Sequence, residues 1–254
     1  MSRGAEWFAH VGAGGTPVAG LPASVRAADT TIDGVPVRVV AVVRDPGARF
    51  PRARQGEVGI DEGFALARAV RGTPPGSAIL AIVDVPGQAF GVREEAIGLQ
   101  RALAASAQAY VQMRRGGHPV LALVVGKAIS GAFLAHGLQA GWIGAIDDAA
   151  VEVHVMSKPA VARVTRMDEA DLVRIAREVP ATARDIETFA RFGAVDELFP
   201  AGVAPEAVVA ALAPALRDGR GLRNPVARLA YPGAVQTRAL AREVRARLQE
   251  AWDA

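Results

Sequence analysis

The chain has 254 residues, 51% hydrophobic and 22% charged, which supplies apolar material for one large α/β domain or two small ones. Only 5% are aromatic, so the core must be built from Ala, Val, Leu and Ile. The net charge is +3, and all but two of the 29 basic residues are arginines, spread along the chain among Asp and Glu. The densest basic stretch, Arg44 to Arg54, contains Pro and Gly and a single aromatic, Phe50. This is not the clustered, groove-reading pattern of a nucleic-acid surface. The absence of cysteine excludes disulfides, thiolate nucleophiles and Cys-based metal sites. His10, His118, His136 and His154 form no helix-spaced pair, so no metal is expected. Met1 to Gly20 carries Glu6 and His10 and no long apolar run, and no segment reaches about 18 uncharged apolar residues. A cytoplasmic protein with no membrane partner is expected.

In chain order, Val37–Val43 is short, β-branched and closed by Asp45-Pro46-Gly47, which predicts a buried strand and a turn. A second such strand, Ile79–Val83, runs into Asp84-Val85-Pro86-Gly87. Ala96, Leu99, Leu103, Tyr110 and Met113 share one helical stripe. A third strand, Val120–Val125, is expected to stop at Gly126, and the alternation in Val151–Val155 predicts a strand with one face less buried. Asp168 is expected to cap a helix that buries Leu172, Ile175, Ala176 and Val179, and Thr182 one that runs through Arg191 and stops at Gly193. Leu240, Val244, Leu248 and Trp252 mark a last amphipathic helix with arginines opposite. Strands alternating with helices predict an α/β fold with a mostly parallel sheet.

The segment Gly126-Lys127-Ala128-Ile129-Ser130-Gly131-Ala132-Phe133 takes a buried strand through small residues into an apolar helix. The first amides after such a turn have no intrahelical partner, and small residues let a substrate oxygen approach them. An enolate or carboxylate oxygen suits them; so does a helix that merely packs tightly, and spacing alone leaves both open. Pro86, Gly87 and Gln88 lie in a rigid turn at a strand end, where open α/β sheets place ligand loops, although a plain connection explains them equally well. Arg49, Arg52 and Arg54 on the Asp45–Gly59 loop are candidates for a carboxylate or phosphate, or a solvated face. Ser130 is not in a Gly-x-Ser-x-Gly elbow, and the glycines at 12, 14 and 15 do not make a dinucleotide loop. Neither lysine has the Met-Lys-Met setting of a biotin acceptor.

Taken in order, Asp84–Gly87, Pro119–Val125, Lys127–Phe133, Ala150–Met156 and 192–198 resemble the carboxyltransferase branch of the crotonase superfamily. The segments 50–54 and 56–59 narrow the resemblance to the gamma subunit of biotin-independent malonate decarboxylase. The resemblance spans roughly residues 35–200 and implies a crotonase-like (ClpP/crotonase) fold of repeated ββα units. On that basis 1–254 is expected as a single such domain, with 1–34 an N-terminal extension and about 203–254 a helical C-terminal region. It further implies a homologous beta subunit with the active site between the two chains, alongside alpha and acyl carrier (delta) subunits. The implied substrate is a malonyl thioester on a phosphoribosyl-dephospho-CoA arm, which leaves as acetyl thioester and CO2, with no tightly bound cofactor and no biotin. By position, Gly131 and Ala132 match an oxyanion-hole amide pair of related carboxyltransferases. Those carry Gly-Gly-Ala where this chain has Ser130-Gly131-Ala132, so Ser130 adds a candidate hydroxyl donor. Pro86, Gly87, Gln88, Arg52 and Arg54 are the candidate substrate contacts. An acyl-CoA carboxyltransferase half, or a non-catalytic scaffold that completes the partner's site, is the alternative. A hydratase would need paired carboxylates aimed at one water, and no such pair can be assigned.

Overall fold

The computed structural model describes residues 2–156, 158–178, 184–191, 193–225, 243 and 246–253. Its centre is a mixed sheet. Strands β1 (Thr16–Pro17), β2 (Val25–Ile32) and β3 (Val35–Val42) are antiparallel to one another in order. From β3 onward the sheet is parallel through β4 (Ala78–Val85), β5 (Val120–Ile129), β6 (Trp142–Asp147) and β8 (Glu197–Pro200). The short β7 (Val153–His154) pairs with the far end of β5. Buried parallel strands need apolar side chains on both faces. Val39 to Val42, Ile79 to Val83 and Val120 to Val125 accordingly read as unbroken buried runs.

Helices cover the sheet: α1 (Arg3–Val11), α2 (Ile60–Arg71), α3 (Val92–Ala96), α4 (Leu99–Arg115), α5 (Ser130–Ala135) and α9 (Pro205–Arg217), with α6 (Lys158–Thr165), α7 (Glu169–Glu178) and α8 (Ile186–Arg191) between β7 and β8. The residues set apart in the sequence as an extension supply α1, β1 and β2, and β2 is hydrogen-bonded along its whole length to β3. Small residues dominate the core, yet Tyr110 and Trp142 are also fully buried in it.

Several expectations shift. β5 does not stop at Gly126 but runs on to Ile129. The reason is Asp84, whose carboxylate accepts from the Lys127 amide (3.1 Å) and the Gly4 amide (2.9 Å) and packs where a side chain at 126 would sit. Glycine there lets strand pairing continue past the register shift between Val83 and Val85. The stripe from Ala96 to Met113 belongs to two helices, because Gly98 adopts φ +106°, and Ala96 is exposed. Of Val151–Val155, only Val153 and His154 are paired as a strand. Asp168 caps α7 as expected, accepting from the Asp171 amide (2.7 Å), while Val179 and Thr182 lie outside the described residues. In the described residues α8 is capped by Asp185, which accepts from the Thr188 amide (2.7 Å). Leu240 and Val244 also fall outside, and Leu248 and Trp252 are exposed. No helix among the described residues is long and apolar enough to cross a membrane.

Candidate oxyanion site

The strand β4 ends in the turn Pro86-Gly87-Gln88, with Gly87 at φ +139°, a conformation that a side chain would strain. This turn is tied to the arginine loop by paired main-chain bonds: the Val58 amide donates to Gly87 O and the Ala89 amide to Val58 O, each at 3.0 Å. The same turn reaches the end of β5, where Gln88 Oε1 accepts from the Gly131 amide at 3.1 Å. Three segments far apart in sequence therefore meet at Gln88.

Between Ile129, which is extended, and the first turn of α5, Ser130 takes φ +57°. That left-handed residue swings the chain sharply from strand to helix and presents the amides of Gly131 and Ala132 side by side. Ala132 is fully buried and stands in the first turn of α5, where an N–H has no acceptor within the helix itself. The Gly131 N–H holds an amide oxygen, so a substrate oxygen taking the place of Gln88 Oε1 would find one amide already aimed at it and the Ala132 amide next in the chain.

What keeps this turn rigid is a buried polar brace. His136, which ends α5, accepts at Nδ1 from the Tyr110 hydroxyl (2.8 Å) and donates from Nε2 to Ile82 O (2.9 Å). The Ile82 carbonyl can only accept, which fixes the proton on Nε2. Burial holds the His136 pKa down to about 4 and pushes the Tyr110 hydroxyl upward, so both remain neutral. Ser106 Oγ donates to Ala135 O (2.7 Å), and the His136 amide bonds Ala132 O (2.9 Å). On the other side Glu62, fully buried, accepts from Ser24 Oγ (2.6 Å) and from the Gly59 amide (3.1 Å), anchoring the arginine loop to α2. Burial raises the Glu62 pKa.

Of the candidate residues, Ser130, Gly131, Ala132, Gly87 and Gln88 are brought together. Pro86 lines a separate polar cavity of 290 Å3 with Arg44, Glu57, Asp84 and Lys127. Another cavity, of 480 Å3, lies between α1 and the β1–β2 meander. Neither is lined by Gly131 or Ala132. The Arg52 guanidinium lies 3.8 Å from the buried Glu94 carboxylate, and Arg54 donates to Ala48 O (3.2 Å); both side chains are exposed on the loop that Val58 ties to Gln88. Around the amides the surface is apolar and open: Phe90 is 64% exposed, Leu134 51% and Val155 78%.

The sequence reading gave no role to the pair Glu152 and His154. Glu152 O accepts from the Ala128 amide (2.8 Å), and the Glu152 carboxylate lies 3.1 Å from His154 Nε2. Their i, i+2 spacing in an alternating stretch was the signal that placed both side chains on one face.

Known proteins agree with this architecture. The profile of the family "MdcE: Malonate decarboxylase gamma subunit" matches residues 53–252. A Pseudomonas malonate decarboxylase hetero-tetramer solved with coenzyme A contains a chain 43% identical to this one, with 99% of this chain and 100% of that one covered and a TM-score of 0.87. In the Pseudomonas MdcD-MdcE hetero-dimer the values are 44%, 99%, 100% and 0.83. The malonyl-S-ACP:biotin-protein carboxyltransferase MADD of Malonomonas rubra is 37% identical over 161 residues, 59% of this chain; the match covers 55% of that relative's length. Transcarboxylase 12S, 22% identical with a TM-score of 0.63 over 82% of this chain and 39% of that one, shares the fold. The fold is thus that of the crotonase-type carboxyltransferases. With residues 53–252 matched by one family and nearly its whole length superposed on a solved relative, the chain belongs to the malonate decarboxylase gamma subunit family.

Proposed function

We propose that this chain, paired with a beta-type subunit, decarboxylates a malonyl thioester to an acetyl thioester. The observation that carries the reading is the pair of amides at Gly131 and Ala132 in the first turn of α5, the first already holding an oxygen at 3.1 Å. When the carbon–carbon bond of the malonyl group breaks, CO2 leaves and the electron pair moves into an enolate whose charge rests on the thioester oxygen. Fixed amide donors hold that charge in place, and one such donor contributes about 3–4 kcal/mol in comparable sites. Gly131 and Ala132 are the amides that would hold the thioester oxygen or the leaving carboxylate, with Ser130 adding its hydroxyl. Gly87 and Gln88 border that seat, while Pro86, Arg52 and Arg54 stand on neighbouring segments as candidate contacts for the rest of the substrate.

Open apolar side chains around the amides support a site completed by a second subunit. The Pseudomonas relatives were solved as a hetero-tetramer and an MdcD-MdcE hetero-dimer, which supports the same arrangement here. We assign the thioester to an acyl carrier (delta) subunit with a phosphoribosyl-dephospho-CoA arm, with an alpha subunit completing a cytoplasmic complex and no biotin taking part. The test is co-purification with the native partners and release of labelled CO2 from malonyl carrier protein. Release independent of biotin supports the reading, and none from the full complex overturns it. One observation favours a second reading: the Malonomonas relative is named a carboxyltransferase to a biotin protein. Turnover that requires a biotin protein as carboxyl acceptor would establish that alternative.

A further inference from the structure

The His154 side chain is 7% exposed, and its Nδ1 is buried with no hydrogen-bond partner among the described residues. Buried polar atoms are nearly always satisfied, so an orphan beside a candidate site calls for an occupant. The other ring nitrogen is accounted for. Nε2 faces the Glu152 carboxylate at 3.1 Å, and a carboxylate only accepts, so Nε2 carries the hydrogen and Nδ1 presents its lone pair.

The position of His154 is set by strand pairing. β7 runs parallel to β5 with His154 opposite Ile129, the residue before Ser130. Paired residues of neighbouring strands lie on the same face, about 5 Å apart. Ile129 on that face packs toward Gly87: its Cγ2 is 4.0 Å from where a Gly87 side chain would begin. His154 thus stands on the side of the sheet where the Gly87–Gln88 turn and the Gly131 amide meet.

We propose that His154 returns the proton to the carbon that CO2 has left. This rests on the decarboxylase reading above. The balance is as follows. The malonyl group enters as an anion, and the imidazole carries a proton at Nδ1. The carbon–carbon bond breaks and CO2 leaves, placing the electron pair in the enolate. The enolate carbon then forms a C–H bond to the Nδ1 proton, leaving neutral imidazole, which solvent reprotonates. One proton is consumed for each CO2 released.

The charged groups around the ring are Glu152 just before β7, Lys127 on β5 and Arg184 before α8. Burial, with the two cations, lowers the His154 pKa, and Glu152 opposes them. The free ring is therefore neutral at pH 7, and an arriving carboxylate favours its protonation.

The experiment uses the reconstituted complex with malonyl carrier protein, following CO2 release and acetyl thioester together. A wild-type complex that does not turn over overturns the decarboxylase reading; only an active wild type interrogates His154. In that complex His154→Gln is expected to lower kcat by about 100-fold with KM nearly unchanged, and to abolish the fall in kcat at alkaline pH that loss of the donor proton causes. Glu152→Gln keeps an acceptor for Nε2–H but removes the negative charge, so that fall moves to lower pH. A His154→Gln complex with kcat within about threefold of wild type and the same pH profile overturns the proposal. So does a Glu152→Gln profile that does not move, and this second result decides the matter if His154→Gln fails to assemble.

Discussion

Gln88 occupies the seat that a substrate oxygen would need, so its side chain competes with the ligand. Removing it with Gln88→Ala abolishes one half-buried hydrogen bond, of about 1 kcal/mol, and is expected to lower KM up to about fivefold with kcat held. Steady-state kinetics checks this. Gly131→Ala acts in the opposite sense. Its new Cβ would meet Gln88 Oε1 at 3.4 Å and Leu103 at 3.6 Å, ordinary contacts, so the chain folds while the methyl crowds the oxygen seat. Thermal melting should shift little and kcat/KM should fall. His136 makes a pH prediction. Its pKa in the folded chain, about 4, lies below the ordinary value of 6.5, so the unfolded chain binds a proton that the native one refuses. Stability is full above pH 6.5 and is lost as pH falls toward 4, by up to about 3 kcal/mol for this group. Urea midpoints from pH 7 to 4 should show the slope, flattened in His136→Gln; Glu62, raised by burial, works against it. The turn at Ser130-Gly131-Ala132 was legible in the sequence as small residues between a buried strand and a helix, while the role of Gly131 and Ala132 as oxygen-holding amides came only from the resemblance. The Gln88 contact was not legible, since it depends on how two distant strand ends register.

Among the elements, β5 carries the site because it overshoots its neighbours and turns only at Ser130. The strand core was readable from its β-branched run, but its last residues were not. Glycine at 126 reads locally as a stop, and only the Asp84 carboxylate across the sheet explains why it continues the strand. The same carboxylate clamps the start of α1, so Asp84→Ala breaks two charge-assisted bonds at once. Because Asp84 is only half-buried, a loss of about 2–4 kcal/mol is expected, measured by urea unfolding. The break between α3 and α4 was hidden for a similar reason. The apolar stripe spans it, and Gly98 interrupts it through a left-handed conformation that periodicity does not record. The residues before Val35 were set apart as an extension because the resemblance begins near residue 35; in the fold they supply β2, whose Asp29 is met by Arg38 at 2.8 Å.

For the whole molecule, the open side of the oxyanion turn fits a partner surface. Phe90 and Leu134 follow the two segments joined at Gln88, and Val155 follows β7; all three expose apolar surface that a monomer does not cover. Leu134→Glu is expected to leave the circular dichroism melt unchanged and to abolish co-purification with the beta-type subunit. The alternating order of strands and helices could be read from composition and periodicity, but completion of the site by another chain could be inferred only from resemblance, because no single sequence contains its partner. The central claim is that the Gly131 and Ala132 amides receive a substrate oxygen. A structure of the two-subunit complex with a malonyl thioester analogue that does not decarboxylate tests this directly. The account predicts one analogue oxygen at about 3 Å from both nitrogens, with Gln88 turned away. An analogue bound elsewhere, with Gln88 still on Gly131, would contradict it.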